Sequence, residues 1–140
     1  MPRLAALVPC LLLSLGLASL WTTRPAAAEI NCADAGTTVE LNFCADKDYQ
    51  AADKALNAAY ASALAYIRTR DMDEQSDKER LEKAMRNAQR AWVAYRDSDC
   101  KDLVALEWSG GTGATAAILG CMTGKTIQRT KELNERYSEH

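Results

Sequence analysis

The sequence predicts an all-α protein, a small antiparallel three-helix bundle with two disulfides. Three observations carry this. Apolar residues recur at three- and four-residue steps through most of the chain, and no alternating strand pattern is present. Glycine and proline are absent from residue 38 to about 70, and again through the run Ala88–Cys100. Four cysteines stand in the part of the chain that follows an apolar leader.

The leader comes first. Arg3 supplies a positive charge, residues 4 to 20 are almost continuously apolar, and Pro25 is followed by Ala26, Ala27 and Ala28. Charge, short apolar run and small residues together describe a secretory signal peptide over 1–28, cut after Ala28. The run is shorter than the roughly 20 residues that a spanning helix needs, so no stable membrane insertion is expected after cleavage. Cys10 leaves with the leader. One domain is expected over 29–140, in the periplasm or secreted. Losing Arg3 and Arg24 takes Lys+Arg from 17 to 15 against 19 Asp+Glu, a net charge of −4. A mildly acidic chain disfavours nucleic acid and anionic membrane surfaces as partners, and fits a cationic protein.

Residues 29–36 read as an irregular lead-in carrying Cys32. Thr37 and Glu40 form a capping box, so the first helix starts there. Its seam is Leu41, Ala45, Ala52, Leu56, Ala59, Ala63 and Ile67, with Tyr49, Tyr60 and Tyr66 at the margins. So much alanine allows a neighbouring helix to approach closely. Residues 71–77 are a charged connector, and Ser76 with Glu79 reads as a second capping box. The second helix then runs to about Trp108. Its seam is Leu81, Met85, Ala88, Trp92, Tyr95, Leu103 and Leu106, with Gln89, Arg96 and Cys100 along one edge. Asp99 falls near the middle of that seam, so either the helix turns there or Asp99 is partly buried and paired, Arg96 being nearest. The Gly-rich run 109–113 must break the helix. A third helix spans about 114–137, its apolar positions Ile118, Met122, Ile127 and Leu133, with Gly120 or Gly124 as points of interruption.

Cys32, Cys44, Cys100 and Cys121 allow three pairings. Cys32 precedes the first cap by five residues, and Cys44 lies about two turns into that helix, within reach of a chain folding back. Cys100 and Cys121 flank the glycine turn. The spacing favours Cys32–Cys44 and Cys100–Cys121, with a crossed pairing such as Cys44–Cys100 as the alternative.

Most catalytic chemistry is excluded. The single histidine is His140, so no histidine triad or His-rich metal site can form. Oxidised cysteines offer no thiolate. The Gly110–Gly113 run lacks the lysine of a phosphate-cradling loop. Asp97 and Asp99 are the available paired carboxylates, and ion-paired or solvated acids are the commoner case. No catalytic residue, metal ligand or cofactor is expected.

The mature region nevertheless carries a recognisable set of residues. They are Thr38, Glu40, Asn42 and Cys44; Ala52, Asp53, Leu56, Asn57 and Tyr60; Ala88, Gln89, Arg90, Ala91 and Trp92 with Tyr95, Arg96, Asp97 and Cys100; then Gly110, Gly111, Thr112, Cys121, Thr126, Arg129 and Leu133. This pattern, from Cys32 to about Leu133, resembles the LprI-like lysozyme inhibitors. Lys125 departs from it, where that family tends to have an apolar residue. The resemblance implies an exported helical domain and inhibition of lysozyme. Lysozymes cut peptidoglycan with two carboxylates in a cleft and are usually basic, so a stiff acidic protein would be steered towards them. Ser109, Gly110, Gly111 and Thr112 are the candidate loop for entering that cleft. A periplasmic scaffold domain using the tyrosine margin of the first helix is the alternative, and a small-ligand pocket near Trp92 and Arg96 is a third reading.

Overall fold

The computed structural model describes residues 29–72 and 74–137. The expected signal peptide lies outside the described residues. Helix α1 spans Thr38–Thr69, α2 spans Gln75–Asp97, a π-helical turn covers Ser98–Leu103, α3 is the short Val104–Glu107, and α4 spans Ala114–Tyr137. The described residues form a helical bundle with no strand.

Cross-contacts give the direction of each helix. Arg96 on α2 reaches Asp53 on α1 at 3.5 Å and Thr126 on α4 at 3.3 Å, so these three residues stand at one level. Further along, Arg68 of α1 pairs with Glu82 of α2, and the rings of Tyr66 and Tyr137 meet edge to face at 6.3 Å. Helices α1 and α4 therefore run parallel, and α2 runs against both. The main interface joins α1 to α4. Ala52, Ala59 and Ala63 are buried along α1, and these small side chains permit that approach.

The apolar core fills one half of the bundle. Leu56, Ala59, Ala63, Leu64 and Ile67 of α1 pack with Met85 and Leu133, and Tyr60, Leu81, Trp92 and Tyr137 close the margins. A fully buried side chain such as Ile67 contributes about 1.5–3 kcal/mol. The other half, from the level of Arg96 to the start of α1, is held by different means. There the buried groups include Cys44, Cys100, Met122 and Thr126, with the guanidinium of Arg96 among them. Cys32–Cys44 straps the lead-in to α1, and Cys100–Cys121 clamps the π turn to α4, each with Cα atoms 5.6 Å apart. Both bridges are the pairings favoured by spacing.

Thr37 caps α1 as expected. Its hydroxyl accepts from the Glu40 amide, and the Glu40 carboxylate accepts from the amides of Gly36 and Thr37. Those backbone hydrogen bonds hold the Glu40 carboxyl below its ordinary value. The second capping box does not form. Helix α2 begins earlier, with Glu74 as its cap residue, and the Ser76 hydroxyl donates to the Glu74 carboxylate instead. Helix α4 is continuous through Gly120 and Gly124.

The seam of the second helix also differs from expectation. Its buried residues are Met85, Gln89, Arg96 and Cys100, with Leu81 and Trp92 half-buried. The residues read as an edge are thus the centre of the buried stripe. Ala88 is exposed, as are Tyr95, Leu103 and Leu106. The cause beyond Asp97 is the π turn, where the Val104 amide donates to the Asp99 carbonyl five residues back. A wider turn absorbs an extra residue and shifts the phase of everything after it. Leu41 and Ile127 are likewise exposed, while Thr126, beside Ile127, is fully buried.

Candidate functional site

Arg96 organises the disulfide-bearing half. Its Nε and Nη2 donate to Asp97 Oδ1 at 3.0 and 2.8 Å, and Nη1 donates to the Thr126 hydroxyl. Its guanidinium lies 5.3 Å from the Trp92 ring centroid and 5.6 Å from that of Tyr49. A delocalised, weakly hydrated cation suits a slot between two aromatic faces. Burial raises the Tyr49 phenol above its ordinary value, with the Arg96 charge acting against it. For Asp97, burial works against ionisation, but hydrogen bonds from Lys101 and Arg96 outweigh it and hold the carboxyl below its usual range.

The other signature residues extend this framework. Asn57 donates to Asp53 at 2.9 Å, and Asp53 in turn faces Arg96. Gln89 accepts from Arg129 at 3.2 Å, joining α2 to α4. Tyr60 packs against the core. Arg90 donates to Asn87 on its own helix and is exposed. Asn42 Oδ1 is buried with no hydrogen-bond partner in the protein. Glu40 serves the cap. Arg96, Gln89 and Tyr60 join helices, whereas Asn57, Arg90 and Glu40 bond within or at the cap of their own helix, and Arg96 is buried against Trp92, Tyr49 and Thr126. The tyrosine margin is used internally as well: Tyr49 lies against Arg96 and Tyr66 against Tyr137.

Lys125 has its own role. Its ammonium donates to the Tyr95 hydroxyl at 2.9 Å and pairs with Asp99 at 3.0 Å. These two partners raise its pKa, the tyrosine being the stronger. Asp99 is therefore paired across to α4, and not with Arg96. Asp99, Cys100 and Cys121 lie close enough to hold a metal. The two sulfurs are bonded to each other, so neither is free to be a thiolate ligand.

All four residues of the Ser109–Thr112 turn are exposed. Ser109 and Gly110 both have positive φ, at 49° and 70°, which reverses the chain sharply. The Gly111 amide donates to the Trp108 carbonyl at 2.8 Å, and Ala114 donates to Gly111 at 3.0 Å. Cys100–Cys121 anchors the turn from below. Sequence reasoning located this turn but missed its surroundings. Leu103, Leu106 and Trp108 precede it and are 55 %, 76 % and 49 % exposed. No local signal marks the π turn that exposes the two leucines.

Charge is divided unevenly along the bundle. Taking the Arg96–Asp53–Thr126 level as the divide, residues 29–53 and 96–126 hold ten acidic and four basic residues. The rest of the chain after residue 28 holds nine acidic and eleven basic. The disulfide end is the acidic one.

Among the described residues, no helix is long and apolar enough to cross a membrane. Two disulfides are stable only outside the reducing cytoplasm, which marks the protein as extracytoplasmic. The chain is 38% identical to an uncharacterized protein of Rhizobium meliloti (strain 1021) over 123 residues, covering 83% of this chain and 87% of that one. It is 30% identical over 98 residues to the uncharacterized protein YecT of Escherichia coli (strain K12), covering 66% of this chain and 60% of the relative. No solved structure matches. The family model described as lysozyme inhibitor LprI matches residues 30–133, almost the whole of the helical domain. By that match and that breadth of coverage, the chain belongs to the LprI lysozyme-inhibitor family.

Proposed function

We propose that the protein is an exported inhibitor of lysozyme, working in the periplasm or after secretion, and that its Ser109–Thr112 turn enters the substrate cleft. The observation that carries the reading is the family match over residues 30–133. The geometry is in keeping with it. The turn is exposed, small-sided and anchored by Cys100–Cys121. Such a turn loses little conformational freedom on binding, which favours affinity. The acidic end that carries it would be drawn towards a basic enzyme, raising the association rate. On this reading the protein contributes no chemistry of its own. It excludes the glycan from the two carboxylates that would cleave it.

The test is clearing of a cell-wall suspension by egg-white lysozyme, with and without residues 29–140 in oxidised form. Slower clearing in proportion to added protein is expected. Replacing Gly110 and Gly111 with bulky residues should relieve the inhibition. Undiminished inhibition by that variant would remove the turn from the reading, and no inhibition of any lysozyme class by the native chain would remove the function.

A further inference from the structure

The core fills the half of the bundle away from the disulfides, and this leaves apolar side chains uncovered at the other end. Eight large hydrophobic side chains are exposed among the described residues. Six of them, Val39, Leu41, Phe43, Leu103, Leu106 and Trp108, lie at the disulfide end, and the other two, Tyr95 and Ile127, sit one residue beyond its boundary. This is the same end that holds ten acidic residues against four basic ones. An exposed apolar surface rimmed by one sign of charge is the pattern of a docking surface.

Trp108 is the best-prepared anchor. Its ring lies so close over Gly113 that a Cβ there would run into the ring atoms, Cε3 at 3.1 Å and Cη2 at 3.2 Å among them. Glycine at 113 thus leaves room for the Cζ3 edge of the indole against the backbone. The ring is held on one side and half-exposed on the other. A tryptophan fixed before binding has little freedom left to lose, and tryptophans dominate the binding energy of many interfaces. Leu103 and Leu106 stand one turn apart and are brought to the surface by the π turn. Asp102 and Glu107 are exposed beside them.

We propose that Leu103 and Leu106 form an apolar ridge that docks against a positively charged protein surface, with the surrounding acids providing attraction and Trp108, which projects from another side of the same helix end, as a separate anchor beside it. The π turn is then a functional device. It rotates the end of the second helix so that this ridge faces out while Cys100 stays buried. The proposal rests on the reading of a basic lysozyme as partner, and it extends that reading from the turn to the surface that supplies affinity.

The experiment measures binding of the oxidised chain, residues 29–140, to two immobilised basic proteins, egg-white lysozyme and cytochrome c, the latter having no glycan cleft. The variants are Leu106→Ser, the Leu103→Ser/Leu106→Ser pair, Gly113→Ala and, as a control elsewhere, Ile127→Ser. Leu106 is 76 % exposed, so its replacement leaves the fold intact. Gly113→Ala keeps the indole but displaces it.

The proposal expects lysozyme binding that weakens about tenfold or more in the double leucine variant, and several-fold in Gly113→Ala. Ile127→Ser should bind as the native chain does, and added salt should slow association. Unchanged lysozyme binding by the leucine variants overturns the proposal. So does a native chain that binds neither basic protein. A third contrary result is a native dimer that the leucine variants abolish while lysozyme binding stays intact, because the ridge then covers a second copy. Cell-wall clearing separates this proposal from the functional reading. Binding through the ridge without inhibition defeats the reading alone, and full inhibition by ridge variants defeats the ridge alone.

Discussion

Lys125 of α4 and Asp99 of the π turn form an ion pair of 3.0 Å, each side chain about three-tenths exposed. The pair crosses the same gap that Cys100–Cys121 bridges covalently. It gives Asp99, displaced from the seam by the π turn, a partner on the facing helix.

Replacing Lys125 with leucine should therefore cost little, about 0.5–1 kcal/mol, because the pair is partly solvated. A double-mutant cycle with Asp99→Asn, followed by urea unfolding, should find a coupling of similar size. Strict additivity would show that the pair contributes nothing.

Arg96 is a different case, with its side chain 6% exposed. Arg96→Met should destabilise the domain by about 2–4 kcal/mol, since Asp97 and Thr126 lose a donor and the slot between Tyr49 and Trp92 loses its cation. Arg96→Lys should recover only part of the loss, because an ammonium cannot reproduce the planar fork. Equal stability of the lysine variant and the native chain in urea would contradict this account of the hub.

Each disulfide should contribute about 3 kcal/mol by restricting the unfolded chain, given sequence separations of 12 and 21. The consequences differ by place. Opening Cys100–Cys121 should loosen the turn and lower inhibition, whereas opening Cys32–Cys44 should fray the lead-in and the start of α1. Amide exchange on Cys100→Ser/Cys121→Ser and on Cys32→Ser/Cys44→Ser would check this, and identical exchange maps would count against it.

Glu82 accepts hydrogen bonds from Arg68 and Arg86, which pull its pKa down to about 2. A depressed carboxylate adds stability above its unfolded value, and this is lost as pH falls through the folded one. Stability should thus decline between about pH 4.5 and 2. The Arg68→Ala/Arg86→Ala variant should show a shallower decline, read from thermal melts across that range. A carbon-detected titration placing Glu82 near its ordinary value would exclude the effect.

The parts legible in the sequence are those decided locally. Thr37 and Glu40 lie three residues apart, and nothing competes for their hydrogen bonds. Cysteine spacing was informative because Cys100 and Cys121 face each other across a forced turn. The second element was legible as a helix as far as Asp97, but its buried face was not. Up to there a rotation of ~100° per residue holds, and beyond it one wide turn moves Leu103 and Leu106 to the surface. Before that point, the buried stripe was misjudged because it is partly polar. Gln89 and Arg96 are buried because Arg129, Asp97 and Thr126 satisfy them, and two of those partners, Arg129 and Thr126, are brought from α4 by the fold. Thr126 was part of the family pattern, but its burial beneath Arg96 could not be read from neighbours that include exposed Ile127. Ser76 was misread as a cap because Glu74, two residues earlier, takes its hydroxyl.

The central claim is that the anchored turn competes with the glycan for the lysozyme cleft. Initial-rate kinetics on a soluble oligosaccharide substrate test it most directly. Rising apparent KM at constant kcat, as the oxidised chain is added, is the predicted result. A falling kcat at constant KM would mean that enzyme and glycan still meet while the protein is bound, and would contradict the claim.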